Sequence, residues 1–255
     1  MLLKGKTAVV FGVTGEIGKA VARRFRAEGA SVHISGRDPV TLQTLAEEIG
    51  AIWRRVDATD ESAVQAYFDN LSDMGAVPDI TFNAIGLRPM EADYGRPAAA
   101  LSRDAFLRPF ETIAWSQFLT SRTAATLLAS RGKTGAIVTL SASVGAQFVP
   151  FMSGIAATCG AIESFTRSLA AELGGAGIRI NCVRAGAMPE TRTIRETSAA
   201  IATLIGTSEI TGLGNLLQRP LQLDETAKAI AFYASDHASG ITGQIVNVCA
   251  GALVS

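Results

Sequence analysis

Two kinds of hydrophobic pattern alternate along almost the whole chain. Short apolar runs rich in β-branched residues predict buried strands, and apolar residues spaced three or four positions apart predict helices. The predicted strands are Thr7–Phe11, Ser31–Ser35, Ile52–Val56, Ile80–Phe82, Ala136–Leu140, Arg179–Val183 and Gln244–Val248. The predicted helices are Ile17–Glu28, Val40–Ile49, Glu61–Leu71, Leu101–Ala129, Ile155–Leu173 and Leu223–Ala234. This alternation predicts an α/β fold with a doubly wound, mostly parallel seven-stranded sheet and helices on both faces.

Two stretches interrupt the alternation. Leu87–Ala100 is rich in Pro, Gly and Ala and follows the fourth predicted strand, and Ala187–Pro220 follows the sixth. Open α/β sheets bind ligands outside the carboxyl ends of their strands, so both stretches lie where a site is expected. We expect a single domain over residues 1–255, in which residues 187–220 form a substrate lid.

Three glycines follow the first strand at three-residue intervals: Gly12, Gly15 and Gly18. A strand, a glycine turn and a helix in this order open a Rossmann-like dinucleotide-binding unit. Glycine lets the turn adopt positive φ angles and lets backbone N–H groups approach a pyrophosphate, which the helix N-terminus also attracts. The same pattern could instead serve a purely structural turn.

Composition argues against several classes of partner. The 23 basic residues balance the 23 acidic ones, so neither nucleic acid nor an anionic membrane surface is an expected partner. No uninterrupted apolar run is long enough to cross a bilayer, and the chain opens into a strand without a signal peptide, so we expect a cytoplasmic protein. Hydrophobic residues are 48% and charged residues 18% of the chain, which indicates an extensive core and a subunit interface.

Cysteine and histidine give no sign of a metal site. Cys159, Cys182 and Cys249 are too few and too scattered for a disulfide framework or a zinc centre. His33 lies inside a strand pattern and His237 in a turn at a helix end, so both are interpreted as structural. Neither a bound metal nor a hydrolytic triad is expected.

Further segments complete a pattern that resembles the short-chain dehydrogenase/reductase family over essentially the whole chain. Asp57 follows the third strand, as that family's adenine-contacting Asp does, and Asp79–Gly86 is similar to its Asn-Asn-Ala-Gly segment. Its crossover into the sixth strand and its C-terminal signature are similar to Phe165–Leu173, Gly177–Asn181 and Ala234–Gln244.

The resemblance implies a nicotinamide coenzyme at the ends of the first four strands. We expect it to contact Gly12, Thr14, Gly15, Ile17, Gly18, Arg37, Asp57, Ala58, Asn83 and Gly86. The glycine turn departs from the family's usual pattern, because Glu16 stands where the second glycine would be. This spacing is closer to that of the family's extended members and leaves the shape of the loop open.

The end of the second strand bears on which coenzyme is bound. An NAD-selective site has a carboxylate there that accepts both ribose hydroxyls. Here Ser35 or Gly36 takes that place and Arg37 follows, and a guanidinium can hold a 2′-phosphate through paired charge-assisted hydrogen bonds. We therefore predict NADP(H), with NAD as the alternative. Arg37 could instead pair with Asp38, or Asp38 could bind the ribose of NAD.

The family's usual catalytic residues are a Tyr with a Lys four residues later, a Ser after the fifth strand and an Asn in the preceding helix. Matching Phe165–Leu173 to the family motif puts Ile155 at the Tyr position and Cys159 at the Lys position. Matching the neighbouring segments puts Ala142 at the Ser position and Ile113 at the Asn position. All four usual residues are replaced, which predicts a degenerate active site.

Three side chains are candidates for the missing chemistry. Cys159 lies on the helix face of the Tyr position, and its thiol either takes part in catalysis or fills an apolar pocket. Ser143 could donate a hydrogen bond to a substrate oxygen or merely end its strand. Tyr94 either turns over the nicotinamide or lies on the surface of its loop. Glu111 and Glu163 are interpreted as charges on helix surfaces.

Three functions are compatible with this sequence. They are an NADP(H)-dependent oxidoreductase with a divergent site, a dinucleotide-binding sensor, scaffold or partner subunit without redox turnover, and a non-redox lyase or isomerase. The first two are favoured over the third because an enzyme without a coenzyme needs neither Arg37 nor Asp57. We adopt the first, which is the activity that the family resemblance implies.

The expected partners are a small apolar substrate and further copies of the chain. An apolar cleft is indicated by Phe148, Val149, Phe151, Met152 and Ile155. Members of the family pair through the long helices after the fourth and fifth strands. The resemblance therefore implies a homodimer or homotetramer formed by Leu101–Ala129 and Ile155–Leu173. The apolar faces of these helices could instead only cover the sheet.

Overall fold

A computed structural model describes residues 1–147, 149–205 and 214–254. These residues form a seven-stranded sheet in the order β3-β2-β1-β4-β5-β6-β7, and every neighbouring pair is parallel. The strands are β1 (Thr7–Phe11), β2 (Ser31–Gly36), β3 (Ile52–Arg55), β4 (Ile80–Asn83), β5 (Gly135–Ala142), β6 (Ile178–Ala185) and β7 (Ile245–Val248). The predicted strands match these to within a few residues, and the predicted fold class is confirmed.

Helices cover both faces of the sheet. They are α1 (Glu16–Ala27), α2 (Pro39–Ile49), α3 (Glu61–Asp73), α4 (Arg103–Pro109), α5 (Trp115–Ser130), α6 (Ser153–Leu173), α7 (Arg192–Ile205) and α8 (Leu223–Ala234). The hydrophobic pattern predicted one helix over 101–129. Instead, a π-helical turn at Phe110–Ala114 separates α4 from α5. Pro109 directly precedes that turn and has no backbone N–H to donate, which accounts for the irregularity.

Two buried clusters lie on opposite faces of the sheet. One joins β-strand residues such as Val10 and Ile34 to Phe25 of α1 and Ile230 of α8. The other packs Phe11 of β1 against residues of α3 and α5, including Tyr67, Phe68 and Leu119. Apolar burial on both sides explains why the central strands are continuous hydrophobic runs rather than alternating ones.

The chain reverses its direction of winding between β1 and β4. Strands β2 and β3 extend the sheet to one side of β1, whereas β4 to β7 extend it to the other. At such a switch point the loops after the two central strands diverge and leave a crevice at their carboxyl ends. The glycine turn after β1 and the loop after β4 both open into this crevice.

The stretch 187–220 contains a helix that periodicity did not predict. Helix α7 occupies residues 192–205, and its Ile201 is buried. Helix α7 therefore forms part of the stretch 187–220 that was predicted to be a lid. Residues 206–213 of that stretch fall outside the described part of the chain. Phe148, one of the expected cleft residues, also lies outside it.

Candidate functional site

The glycine turn leaves no room for side chains at two of its three glycines. Gly12 has a φ of +80°, and a Cβ there would lie 2.6 Å from the carbonyl carbon of Ala84. A Cβ on Gly18 would lie 2.5 Å from the Gly12 oxygen. Gly15 is different, because its Cβ would meet only the Gly12 oxygen at 3.6 Å. The turn is thus packed directly against the backbone that follows β4.

Helix α1 begins without a side-chain cap. Its N-cap residue is Gly15, which offers no hydrogen bond to the amides of the first turn. Those amides are left for an external acceptor, the arrangement that suits an anion such as a pyrophosphate. Thr14 is exposed at the tip of the turn, and Ile17 packs partly buried against the core. The predicted residues of this segment therefore lie together along one edge of the crevice.

The end of β2 carries an unpaired cation. Arg37 is exposed, and no ion pair or hydrogen bond involves its guanidinium among the residues that the structure describes. Asp38 does not pair with it, because its carboxylate caps α2 by accepting from the amides of Val40 (3.2 Å) and Thr41 (3.3 Å). Gly36 places this strand end beside the glycine turn, since its Cβ would lie 3.2 Å from a Thr14 methyl.

The end of β3 holds the predicted adenine-contacting residues. Asp57 is half-buried, and its Oδ1 accepts from the Thr59 amide (3.0 Å) and hydroxyl (2.7 Å). These bonds fix the carboxylate in a tight turn beside the buried Ala58. Asp57 therefore presents a fixed acceptor at the same edge of the sheet as Arg37.

Asn83 organises the loop after β4. It is 3% exposed, its Oδ1 accepts from the Ile85 amide (2.8 Å), and its Nδ2 donates to the Thr120 hydroxyl (3.0 Å). This side chain fixes the backbone leading to Gly86, which lies exposed at the mouth of the crevice. Asn83 is thus a scaffold of the candidate site.

The residues matched to the family's Tyr and Lys positions line an apolar wall. Ile155 packs half-buried against the cluster that contains Ile113 and Ile162. Cys159 is 2% exposed, and burial raises the pKa of its thiol to about 12, so the thiol is neutral at physiological pH. A Cβ on Gly145 would lie 2.7 Å from the Cys159 Cβ, so the thiol side chain sits tightly beneath this turn.

Ser143 lies at the start of a 3₁₀ turn directly after β5. It is 7% exposed, and its carbonyl accepts from the Ala146 amide at 2.9 Å. No hydrogen bond of its hydroxyl is found among the described residues, so the group remains available to a ligand. Its catalytic role stays a prediction.

Tyr94 is buried, so the interpretation that it lies on the loop surface is wrong. Only 7% of the surface of Tyr94 is exposed. Burial holds the pKa of its phenol well above the usual value, and a negative charge on Cys159 would raise that pKa further. The phenol is therefore neutral at physiological pH.

Glu163 is also buried, which corrects its interpretation as a surface charge. It lies one helical turn beyond Cys159 on α6, and its carboxylate forms two hydrogen bonds with Arg184 of β6, Nε–Oε1 at 2.8 Å and Nη2–Oε2 at 2.5 Å. Ser141 of β5 donates to the same carboxylate at 2.8 Å. The sequence signal was an arginine inside an apolar strand and a glutamate on the buried face of α6. Glu111, in contrast, is exposed as predicted.

No cluster of metal-ligating side chains occurs within residues 1–147, 149–205 and 214–254. Over the same part of the chain, no helix combines the length and the apolar character that crossing a membrane requires. The three cysteines are buried and unpaired. His33 is 3% exposed in β2, and burial lowers the pKa of its imidazole.

Known proteins resemble this chain over nearly its full length. The model of the enoyl-(acyl carrier protein) reductase family matches residues 12–252. The 3-oxoacyl-[acyl-carrier-protein] reductase FabG of Chlamydia trachomatis is 28% identical and is matched over 98% of each chain. The cis-4-hydroxycyclohexanecarboxylate dehydrogenase of Sinomonas cyclohexanicum is 32% identical over 96% of each chain. A crystal structure of an actinorhodin polyketide ketoreductase variant with NADPH shares 26% identity over 97% of each chain, at a TM-score of 0.87.

Proposed function

Because this chain belongs to the short-chain dehydrogenase/reductase family, we propose that it is an NADP(H)-dependent oxidoreductase acting on an apolar carbonyl or conjugated double bond. The observation that carries the coenzyme assignment is the exposed Arg37 side chain, which has no ion pair among the described residues and directly follows Gly36 at the strand end beside the glycine turn. Asp38 is engaged as the cap of α2 and is not free to accept ribose hydroxyls as an NAD-binding carboxylate would. The related polyketide ketoreductase crystallised with NADPH is consistent with this choice.

The residues around the crevice fit such a coenzyme. Gly12 and Gly18 keep the turn clear of side chains, and the uncapped start of α1 would receive the pyrophosphate. Asp57 would accept from the adenine amino group, and Arg37 would hold the 2′-phosphate. When bound, the reduced coenzyme supplies a hydride to the substrate.

The side chains of the substrate cleft favour a substrate that needs little help from the family's usual acid. Ile155 carries no proton, and the neutral thiol of Cys159 is a weak donor. Their apolar surface excludes water from the reacting atoms and favours an apolar substrate. Ser143 would donate a hydrogen bond to the substrate oxygen. A degenerate site of this kind is best suited to ketones, enones or imines with an activated double bond.

The same two residues support a second candidate function. A chain with Ile155 and Cys159 at the family's Tyr and Lys positions could bind NADP(H) as a sensor, scaffold or partner subunit without turnover. Losing a positioned general acid costs about 10²–10⁴ in rate, which is enough to abolish detectable reduction of an unactivated ketone. The two functions share the coenzyme site and differ only in chemistry.

We also propose that the protein is a cytoplasmic homodimer or homotetramer. A partly exposed aromatic row spans α5 and α6, with ring centroids of Trp115 and Phe118 at 6.2 Å and of Phe118 and Phe165 at 5.8 Å. The Arg122 guanidinium lies 5.8 Å from the Phe118 ring. Such a row suits a helical interface between copies of the chain, and sedimentation analysis of the purified protein tests this.

Coenzyme fluorescence tests the proposed function. NADPH is titrated into the protein, and the saturated complex is then mixed with panels of carbonyls, enones and imines while nicotinamide absorbance is followed. Binding with loss of absorbance supports the oxidoreductase. Binding without turnover across the panels favours the coenzyme-binding protein, and absence of binding favours a non-redox enzyme on this fold.

A further inference from the structure

We propose that Tyr94 is the proton donor of this site, delivered by the loop after β4 instead of by α6. The inference rests on the proposed function and identifies a residue for it. It follows from the fold of the loop, the burial of the residue and the absence, among the described residues, of a hydrogen-bond partner for its hydroxyl.

The loop that carries Tyr94 has a defined conformation. Pro89–Ala92 form a 3₁₀ turn whose start is closed by the Glu91 carboxylate, which accepts from the Arg88 amide at 2.8 Å. The Tyr94 amide then donates to the Pro89 carbonyl at 3.0 Å. Asp93 ends the turn in the left-handed region, with a φ of +49°. The turn therefore sets the direction in which the Tyr94 side chain leaves the backbone.

Contacts with distant segments hold this loop over the cleft. The Gly95 amide donates to the carbonyl of Phe151, immediately before α6, at 2.9 Å. Gly95 has a φ of +90°, and its Cβ would lie 3.2 Å from the Ala200 Cβ of α7. The residue next to Tyr94 is thus fixed between the entry to α6 and the α7 part of the lid.

Tyr94 is a buried residue whose hydroxyl is unpaired as far as the structure describes the chain. Tyr94 is 7% exposed, and its hydroxyl has no partner within the described ranges. With its own hydrogen bond unmade, the hydroxyl can donate to an oxygen of a bound substrate. Through the neighbouring Gly95, the Tyr94 backbone is tied to Phe151 at the entry to α6, the helix that carries Ile155 and Cys159.

The proton and electron balance of a carbonyl reduction is complete with Tyr94. The carbonyl carbon takes a hydride from a dihydronicotinamide, and the C=O π pair becomes a lone pair on oxygen. That oxygen takes the proton of Tyr94, so the phenolic O–H bond breaks and the alcohol O–H bond forms. The resulting phenolate recovers a proton from water once the product leaves. Burial keeps Tyr94 protonated at neutral pH, so the proton is present before reaction.

Cys159 is less suited to this task. Its thiol is packed beneath Gly145 and donates weakly. Ser143 can share the substrate oxygen with Tyr94 as a second hydrogen-bond donor, but an unactivated hydroxyl is a poor acid. The phenol is therefore a better hydrogen-bond donor to a substrate oxygen than the thiol of Cys159.

The experiment compares Tyr94→Phe with Tyr67→Phe. Tyr67 is a matched control, because it is 3% exposed and packs with Phe11 and Phe68 of the core away from the cleft. Each variant is assayed for NADPH affinity and for NADPH consumption with the carbonyl that the wild type reduces fastest. We expect Tyr94→Phe to lower kcat by about 10²–10⁴-fold with NADPH affinity unchanged, and Tyr67→Phe to change neither.

A readout independent of turnover is the infrared carbonyl stretch of bound cyclohexanone. A hydrogen bond from Tyr94 lowers this frequency in the wild type and in Tyr67→Phe, but not in Tyr94→Phe. The role of Tyr94 is overturned if the two variants have equal kcat, or if bound cyclohexanone has the same carbonyl stretching frequency in Tyr94→Phe as in the wild type. Either result leaves the proposed oxidoreductase function unaffected. A wild type that shows the shifted stretch but reduces no carbonyl instead supports Tyr94 as the donor and overturns the proposed turnover.

Discussion

Arg184 of β6 and Glu163 of α6 form a two-point ion pair beneath the wall of the candidate cleft. Both side chains are largely buried, at 14% and 8% exposure. The remaining groups of the pair are also satisfied, since Ser141 donates to Glu163 and Arg184 donates to Asn247 of β7 at 2.9 Å. This network ties α6, which carries Ile155 and Cys159, to three neighbouring strands.

Removing one partner of this pair is expected to be far more harmful than removing both. Arg184→Met leaves a buried, uncompensated carboxylate and should lower the free energy of unfolding by about 3–5 kcal/mol. The double variant Glu163→Leu/Arg184→Met replaces the pair by apolar side chains and should recover most of that loss. Urea unfolding of the wild type, Arg184→Met, Glu163→Leu and the double variant gives a complete double-mutant cycle. Additive losses in the double variant would argue that the pair is not coupled.

Two glycines of the turn should respond differently to alanine. Gly12→Ala places a side chain at positive φ, which costs about 1–2 kcal/mol, and drives it into the Ala84 backbone. Gly15→Ala meets no close contact and should change stability by less than about 1 kcal/mol. Thermal and urea unfolding check this difference. Similar losses of stability in both variants would contradict the close packing of Gly12 against the Ala84 backbone.

Arg37→Ala should weaken NADPH binding much more than NADH binding. A charge-assisted bond to the 2′-phosphate contributes about 1.5–3 kcal/mol, so the expected loss is about 10- to 150-fold for NADPH alone. Arg54→Ala is the control, because Arg54 also lies on the exposed edge but donates to Asn70 at 2.6 Å. Fluorescence titration with both coenzymes measures the ratio. Equal losses for NADPH and NADH would refute recognition of the 2′-phosphate by Arg37.

Stability should fall as the pH drops below about 6.5, the ordinary pKa of histidine. Burial lowers the pKa of His33 in the folded state, so the unfolded chain takes up a proton that the folded chain does not. The loss begins near the unfolded pKa and continues down to the folded one, with a slope of at most about 1.4 kcal/mol per pH unit. Urea midpoints between about pH 7 and 5 measure the slope.

Two substitutions distinguish the protonation of His33 from other effects of low pH on stability. His33→Gln should flatten this part of the curve. His237→Gln should not, because His237 is exposed. An unchanged slope in His33→Gln would assign the acid sensitivity to other groups.

Local patterns were sufficient to predict the sheet and the glycine turn after β1. Strands that are buried on both faces are continuous apolar runs in the sequence. The order of strand, glycine turn and helix can be recognised within a segment of about twenty residues. The close packing of Gly12 and Gly18 agrees with that local order, whereas Asp57 was assigned through the family resemblance and its contact with a coenzyme stays a prediction. The sequence also contained a signal for the capping role of Asp38, because Pro39 follows it and proline is favoured at the first position of a helix.

The substrate side depended on contacts between distant segments. Tyr94 is buried because Gly95 bonds to Phe151 and packs against Ala200, and no local pattern joins these three positions. Glu163 was misassigned although it lies eight residues after Ile155, on the same helix face. A charge on that face required a buried partner, and Arg184 in an apolar strand was the available one.

A crystal structure of the protein grown with NADPH tests the coenzyme site most directly. We expect the pyrophosphate against the amides at the start of α1 and the 2′-phosphate within hydrogen-bond distance of the Arg37 guanidinium. A crevice closed by the protein's own side chains, or a dinucleotide bound elsewhere, would contradict the assignment of this chain as an NADP(H)-dependent oxidoreductase.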